Sequence, residues 1–191
     1  MASNSWRALG QGTVLGALRK DLRAARASVV VLGPWIDDYF ASEVLTACHA
    51  KVSLRVLTRP TQQMFDGFVG DACAAAARLR ERGADVRQLA GLHAKVILVD
   101  DAVAYCGSTN WYRHSLEHSV EVTLRGPASG IPSLLDEVET AWQRGTDFQV
   151  PRHDAQPARK PEGFLSEVVD PIAEEKLRST PGAFVLRKKD R

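Results

Sequence analysis

Between Gly91 and Arg125 the sequence sets six polar or glycine positions at fixed intervals. His93 and Lys95 are separated by one residue. Four residues then lead to Asp100, six more to Gly107-Ser108, and Asn110 follows after another single residue. The intervals are filled by two short apolar runs, Ala94 to Val99 and Val103 to Cys106, which meet at Asp100-Asp101. Apolar runs of this length around an Asp pair read as an antiparallel hairpin with a polar turn. Glu121 lies further along, within a run from Ser119 to Leu124 that reads as the next strand.

The segments on either side extend this hairpin into a larger sheet. Ser28 to Leu32 is continuously apolar and β-branched after its first residue, as expected of a strand buried on both faces. Gly33-Pro34 ends it. Asp37 and Asp38 then have the character of helix-starting residues ahead of a stripe formed by Phe40, Ala41, Val44, Leu45 and Cys48. Val52 to Leu57 reads as a strand, Phe65 to Arg82 as a helix closed by Gly83, Asp85 to Leu89 as a strand and Ile131 to Trp142 as a helix. Leu9, Leu15, Leu18 and Leu22 predict an opening amphipathic helix. This order predicts an α/β fold with a mixed, mostly parallel sheet flanked by helices.

The residue types suggest a chemistry. In extended chain, residues two apart face the same way, so His93 and Lys95 project together. A neutral imidazole can attack phosphorus while an ammonium stabilises charge on the non-bridging oxygens. Gly107, Ser108 and Asn110 can add backbone, hydroxyl and amide groups to the same anion. Glu121 can accept from the second imidazole nitrogen and fix its tautomer.

This spacing resembles the signature of the phospholipase D superfamily: His-x-Lys, four residues, Asp, six residues, then Gly-Ser-x-Asn. The resemblance takes in the acidic residue that follows and a closing helix ending on Trp142, and more loosely the elements from about Ser28. It implies a phospholipase D-like catalytic domain over residues 1–148, with catalytic roles for His93, Lys95, Asn110, Glu121 and Ser108. His93 would form a phosphohistidine, Lys95, Asn110 and Ser108 would hold the phosphate, and Glu121 would orient His93. Asp100 and Gly107 would be structural. No metal or other cofactor is implied. The reaction needs two histidines, one to attack and one to protonate the leaving oxygen. One copy of the motif is present, so the resemblance implies a homodimer whose subunits each give one histidine. Small single-motif members of the family are dimeric endonucleases, which makes DNA or RNA the expected substrate.

Composition sets wider limits. A formal charge of +2, from 25 Lys and Arg against 23 Asp and Glu, permits a polyanionic substrate without arguing for one. Three scattered cysteines, Cys48, Cys73 and Cys106, do not make a disulfide framework. The longest apolar run, Val29 to Ile36, is too short to span a bilayer. With no apolar stretch behind a basic start in Met1 to Lys20, a cytoplasmic protein without stable membrane association is expected. Residues 149–191 hold five of the nine prolines among charged residues and read as an extended tail. Its Phe164-Leu165, Val168-Val169 and Phe184-Val185-Leu186 clusters, or its Arg187-Lys188-Lys189 run, offer a surface to a protein partner.

Trp35, Tyr39 and Trp111 admit two readings: rings at the mouth of the site that stack on bases, or core packing. Arg59, after the second strand, is a candidate phosphate contact. The helical spacing of His114, Glu117 and His118 allows a metal site, but solvated loop residues fit better. His49 and His153 are expected at the surface. Two other functions stay open: hydrolysis of a phospholipid or another small phosphodiester, and a non-catalytic nucleic-acid-binding subunit of a larger complex.

Overall fold

The computed structural model describes residues 5–151. The expected tail therefore lies outside the described residues from 152 onward, together with His153. Among the described residues an eight-stranded sheet forms the centre, in the order β1 (Arg7–Leu9), β7 (Thr123–Pro127), β6 (Val103–Gly107), β5 (Val96–Val99), β2 (Ser28–Leu32), β3 (Ser53–Thr58), β4 (Asp85–Gln88), β8 (Thr146–Asp147). Its middle strand, β2 (Ser28–Leu32), pairs in parallel with β3 (Ser53–Thr58) and antiparallel with β5 (Val96–Val99). Alternate side chains explain the unbroken apolar run: Val29 and Val31 enter one core, and Val30 and Leu32 the other.

Helices α1 (Val14–Ala24), α2 (Asp38–Ala47) and α3 (Asp66–Glu81) bury Leu18, Leu22, Phe40, Val44, Phe68 and Leu79 in the first core. On the opposite face α5 (Leu134–Gln143) buries Val138 and Trp142. Asp37 caps α2, its Oδ1 accepting from the Phe40 amide at 2.8 Å, as the sequence suggests. Its other oxygen accepts from the Arg113 amide at 2.8 Å and so ties α2 to the short helix α4 (Arg113–Glu117).

Two expectations are corrected. The sheet is mixed and helix-flanked, but it is not mostly parallel: only β2–β3 and β3–β4 (Asp85–Gln88) run parallel. Parallel pairing requires a crossover connection, and only α2 and α3 provide one between neighbouring strands. β5, β6 (Val103–Gly107) and β7 (Thr123–Pro127) form an antiparallel meander. At the edges, β1 (Arg7–Leu9) and β8 (Thr146–Asp147) also pair antiparallel.

The second correction concerns the N-terminus, where Leu9 belongs to β1 rather than to the first helix. The chain turns at Gly12, whose φ of +75° ends the strand before the helical stripe begins. Opposite β1, Gly126 and Gly130 leave room for the Trp6 ring; a Cβ at either position would come within about 2.5 Å of it.

The β5–β6 turn is the main fixing point. Asp100 and Asp101 have φ of 53° and 52°, both left-handed, and with Ala102, whose amide donates to the Val99 carbonyl at 3.0 Å, they form the three-residue connection between Val99 and Val103. The Asp100 carboxylate reaches back to the start of β2 and accepts from the amides of Arg26 (2.8 Å), Ala27 (2.8 Å) and Ser28 (2.9 Å). The hairpin is thereby fixed to the central strand in one register. A second tie is buried: Arg125 on β7 makes a bidentate pair with Asp21 of α1, which also accepts from the Tyr105 hydroxyl.

Replacing Asp100 by Ala should cost about 2–4 kcal/mol, since three amides lose a charged acceptor. Calorimetry should record this as a drop in Tm of roughly 5–15 °C. Burial pushes the Asp100 carboxyl up, but the Ser28, Ala27 and Arg26 amides outweigh it and hold the group below its ordinary 3.8. Its contribution is therefore full above that value and lost as pH falls through the depressed one. In Asp100→Ala the acid limb of the stability curve should be shallower than in the parent.

Candidate active site

The residues leading into β5 and those leaving β6 line one open cleft of about 510 Å³, formed by His93, Lys95, Cys106, Gly107, Ser108 and Asn110 among others. The hairpin register accounts for the meeting. Val96 pairs with Cys106, and one step further along the same ladder sets Lys95 opposite Gly107. His93 and Lys95 precede the regular strand rather than lying in it, yet the two side chains converge, with Lys95 Nζ 3.4 Å from His93 Nε2. Lys95 also donates to the His93 carbonyl at 3.0 Å, which fixes the ammonium beside the ring.

Burial divides the pair. His93 is exposed, whereas Lys95 is 8% exposed and sits beneath it. Among the described residues neither Lys95 nor Arg59 has a carboxylate within ion-pairing distance. Burial lowers the Lys95 pKa from its ordinary 10.5; the Arg59 charge lowers it further, and the Glu121 charge opposes both. A buried, unpaired ammonium next to a guanidinium is a site prepared for an anion.

The far wall is built by Gly107 to Asn110. Gly107 lies so close to β7 that a Cβ there would stand 2.2 Å from the Val122 carbonyl oxygen, so only glycine fits. Ser108 Oγ accepts from the Val122 amide at 3.1 Å and donates to Glu121 at 2.5 Å. Ser115 donates to the other Glu121 oxygen at 2.7 Å and accepts from the Asn110 amide at 2.9 Å. Glu121 thus braces this wall. Among the described residues it makes no hydrogen bond to His93, the bond expected of it, and it precedes β7 instead of lying within a strand. Asn110 Oδ1 is buried with no hydrogen-bond partner among the described residues. Such an atom costs on the order of 1–3 kcal/mol unless a ligand or water completes it.

The outer candidates separate. Trp111 is fully buried, donates to the Leu32 carbonyl at 2.7 Å and stacks on Phe40 with centroids 5.6 Å apart. It is a core residue, not a substrate contact. Gly33 makes room for it, since a Cβ there would stand 2.2 Å from the indole. Trp35 is half-buried and lies 5.5 Å under the Arg59 guanidinium, whose Nε donates to the Leu92 carbonyl at 2.5 Å. Both therefore border the His93 loop. Tyr39 donates its hydroxyl to Glu117 at 2.6 Å, a bond within the protein.

His114, Glu117 and His118 form no metal-binding group; none occurs among the described residues. Two residues escaped the sequence reading. Ser115 carries no spacing signal, because its role is to hold Glu121 and Asn110 through a turn of helix. By sequence Phe65 reads only as the first residue of a helix, yet it is 62% exposed beside Trp35.

Residues 18–137, more than half of the chain, match the family model described as cardiolipin synthase, PLD-like domain. The chain belongs to the phospholipase D superfamily. The PLD-like domain takes in the whole cleft, from His93 to Glu121. Among solved structures, this PLD-like domain is similar to Nuc from Salmonella typhimurium, a phospholipase D family member. Identity is 15% and the TM-score 0.63, over 76% of this chain and 99% of that one. NucT from Helicobacter pylori gives 15% identity and a TM-score of 0.62, over 75% and 99%. Phosphatidylserine synthase from Haemophilus influenzae gives 12% and 0.64, over 80% of this chain and 43% of that one. At these identities the likeness is one of fold. No curated protein matches the chain in sequence. Among the described residues, no helix is long and apolar enough to cross a membrane.

Because Arg59 contributes to lowering the Lys95 pKa, the alkaline limb of a kcat/KM profile should lie below the ordinary lysine range. In Arg59→Gln that limb should move to higher pH. A limb unmoved by the substitution would remove Arg59 from the site's electrostatics. Gly107→Ala should lose activity and stability together, read by turnover and by thermal melting, because neither the Val122 carbonyl nor its strand can yield.

Proposed function

We propose that the chain is a metal-independent phosphodiesterase that cleaves nucleic acid through a phosphohistidine, with two copies completing one active site. The observation that carries this reading is the convergence of the His93 imidazole and the Lys95 ammonium at 3.4 Å in an open cleft, opposite the Ser108–Asn110 wall. His93 Nε2 attacks phosphorus, an N–P bond forms and the P–O bond to one strand breaks. The leaving oxygen takes its proton from the His93 of a second copy. That imidazole then accepts a proton from water, which attacks phosphorus and frees His93, leaving a phosphomonoester and an alcohol.

Lys95 stabilises the non-bridging oxygens throughout. Asn110 contributes its amide. The Ser108 hydroxyl proton is committed to Glu121, so Ser108 and Glu121 support the wall, and the Glu121 charge helps keep Lys95 protonated.

The second copy is argued from the cleft and its rim. The motif supplies one histidine where the chemistry needs two. Beside the cleft, where Val122 meets Ser108, Val120 (90% exposed), Val122 (56%) and Leu124 (41%) stand in solvent at alternate positions of the chain. Apolar side chains exposed at an active-site rim suit an isologous contact that brings two clefts face to face. A nucleic-acid substrate fits the basic pair Lys95 and Arg59, and the PLD-like neighbours include Nuc and NucT. In this reading residues 1–148 form the catalytic domain, working without stable membrane association, and residues 149–191 are a separate tail that can serve a protein partner.

The test is cleavage of single-stranded DNA, plasmid, RNA and a labelled phospholipid in EDTA. Nucleic-acid cleavage that is absent in His93→Ala and Lys95→Ala is expected, with melting temperatures close to the parent. Turnover of the lipid alone would replace the nuclease reading with a lipid one. Tight binding without cleavage would make the chain a binding subunit. Equimolar co-expression with His93→Ala should leave about one quarter of the activity, the share of fully parental dimers under random two-fold pairing. Half the activity would mean that each chain works alone.

A further inference from the structure

Phe65 is an exposed aromatic ring on a rigid base, close to the phosphate cleft. It stands immediately before α3, 62% exposed. Its ring lies 5.0 Å from that of Trp35 and 5.6 Å from that of the buried Phe68, while Trp35 meets Phe68 edge-on at 5.3 Å. Three mutually packed rings hold one another in place, so the outermost presents a flat apolar face at little entropic cost.

This group is tied to the catalytic loop at two points. Arg59 lies over Trp35 and donates to the carbonyl of Leu92, the neighbour of His93. Gln63, two residues before Phe65, accepts from the amide of Gly91 at 2.8 Å, two residues before His93. From cleft to ring the order is Lys95, Arg59, Trp35, Phe65: two cations without carboxylate partners among the described residues, then aromatic surface. Anion sites followed by a stacking face match the repeating chemistry of a nucleic-acid strand, phosphate then base. A phospholipid carries the phosphate but offers no flat ring to stack.

We propose that Phe65, backed by Trp35, is a stacking shelf for one unpaired base next to the phosphate being cut, which makes single-stranded nucleic acid the preferred substrate. This rests on the nuclease reading above and adds the strandedness of the substrate. In a duplex both faces of a base are already stacked, so the shelf can engage it only after the base is flipped out or the strand melted. Arg59 has a double part, holding the flanking phosphate while stiffening Trp35 through its cation–π contact.

The experiment compares a single-stranded oligonucleotide with the same strand made abasic around the cut, in the full chain. Affinity is read by fluorescence anisotropy in a His93→Ala background, and cleavage by gel in the His93 parent. The parent should prefer the base-bearing strand, and Phe65→Ala should reduce that preference by roughly 5- to 150-fold, the range for stacking of one base on one ring. Phe65→Tyr should restore most of it. Because Phe65 is exposed, its removal should leave the melting temperature nearly unchanged, so a folding defect does not confuse the result. An unaltered preference in Phe65→Ala, or an equal loss on both strands, overturns the shelf while leaving the nuclease reading intact. Selective loss of base-bearing affinity in a protein that cleaves no nucleic acid overturns the nuclease reading and keeps the shelf.

Discussion

The Asp100 carboxylate, held across the amides of Arg26, Ala27 and Ser28, is the contact on which the arrangement of the site depends. A two-stranded hairpin in isolation is marginal in water and free to slip against its neighbours. Here its turn is fixed to the start of the central strand. Val99 is thereby held opposite Val29, and each later pair follows down to Val96 opposite Leu32. The same ladder sets the other end of the hairpin, where His93 and Lys95 lead into β5 and Ser108 to Asn110 follow β6. Asp100 thus acts on the cleft at the opposite end of the strands by fixing their register, a positioning role.

The cleft itself is a compromise between burial and charge. Burial disfavours the Lys95 ammonium and Arg59 disfavours it further, while Glu121 restores part of the balance. Among the described residues no carboxylate lies within ion-pairing distance of the two cations, and the Glu121 oxygens bond Ser108 and Ser115. Two unpaired cations therefore share one cleft with Asn110, whose Oδ1 is buried without a partner among the described residues. A phosphodiester would supply the missing charge. Selectivity among phosphodiesters would then come from what surrounds the cleft. In this chain the surroundings are an aromatic group to one side and exposed valines on the rim.

Much of the fold was legible because it is written at short range. The apolar run of Ser28 to Leu32, the cap at Asp37 and the turn pair Asp100-Asp101 each depend on local propensity and appear where expected. The parallel share of the sheet was overestimated, since strand–helix alternation predicts crossovers but not which strands end up as neighbours. Trp111 was ambiguous for a related reason: its position after Asn110 suits a site residue, and only the space left by Gly33 draws the indole into the core. Glu121 has the expected residue type at the expected spacing, but its partners are two serines rather than the imidazole. Hydrogen-bond partners across a loop are set by distances that spacing does not encode.

The sequence by itself determined the chemical inventory: one imidazole, one ammonium, a glycine that tolerates no side chain, and an Asp at a hairpin turn. It also determined the family, because those groups recur at fixed intervals along a strand pair whose geometry is regular. Tertiary structure decided how exposed each group is and what it faces. It set Lys95 beneath His93 and beside Arg59, took Trp111 into the core, and left Phe65 and the rim valines in solvent. The reason is physical. Regular strands convert spacing into position, whereas burial, electrostatic coupling and the exposure of a ring arise from segments far apart in the chain and exist only once they are packed together.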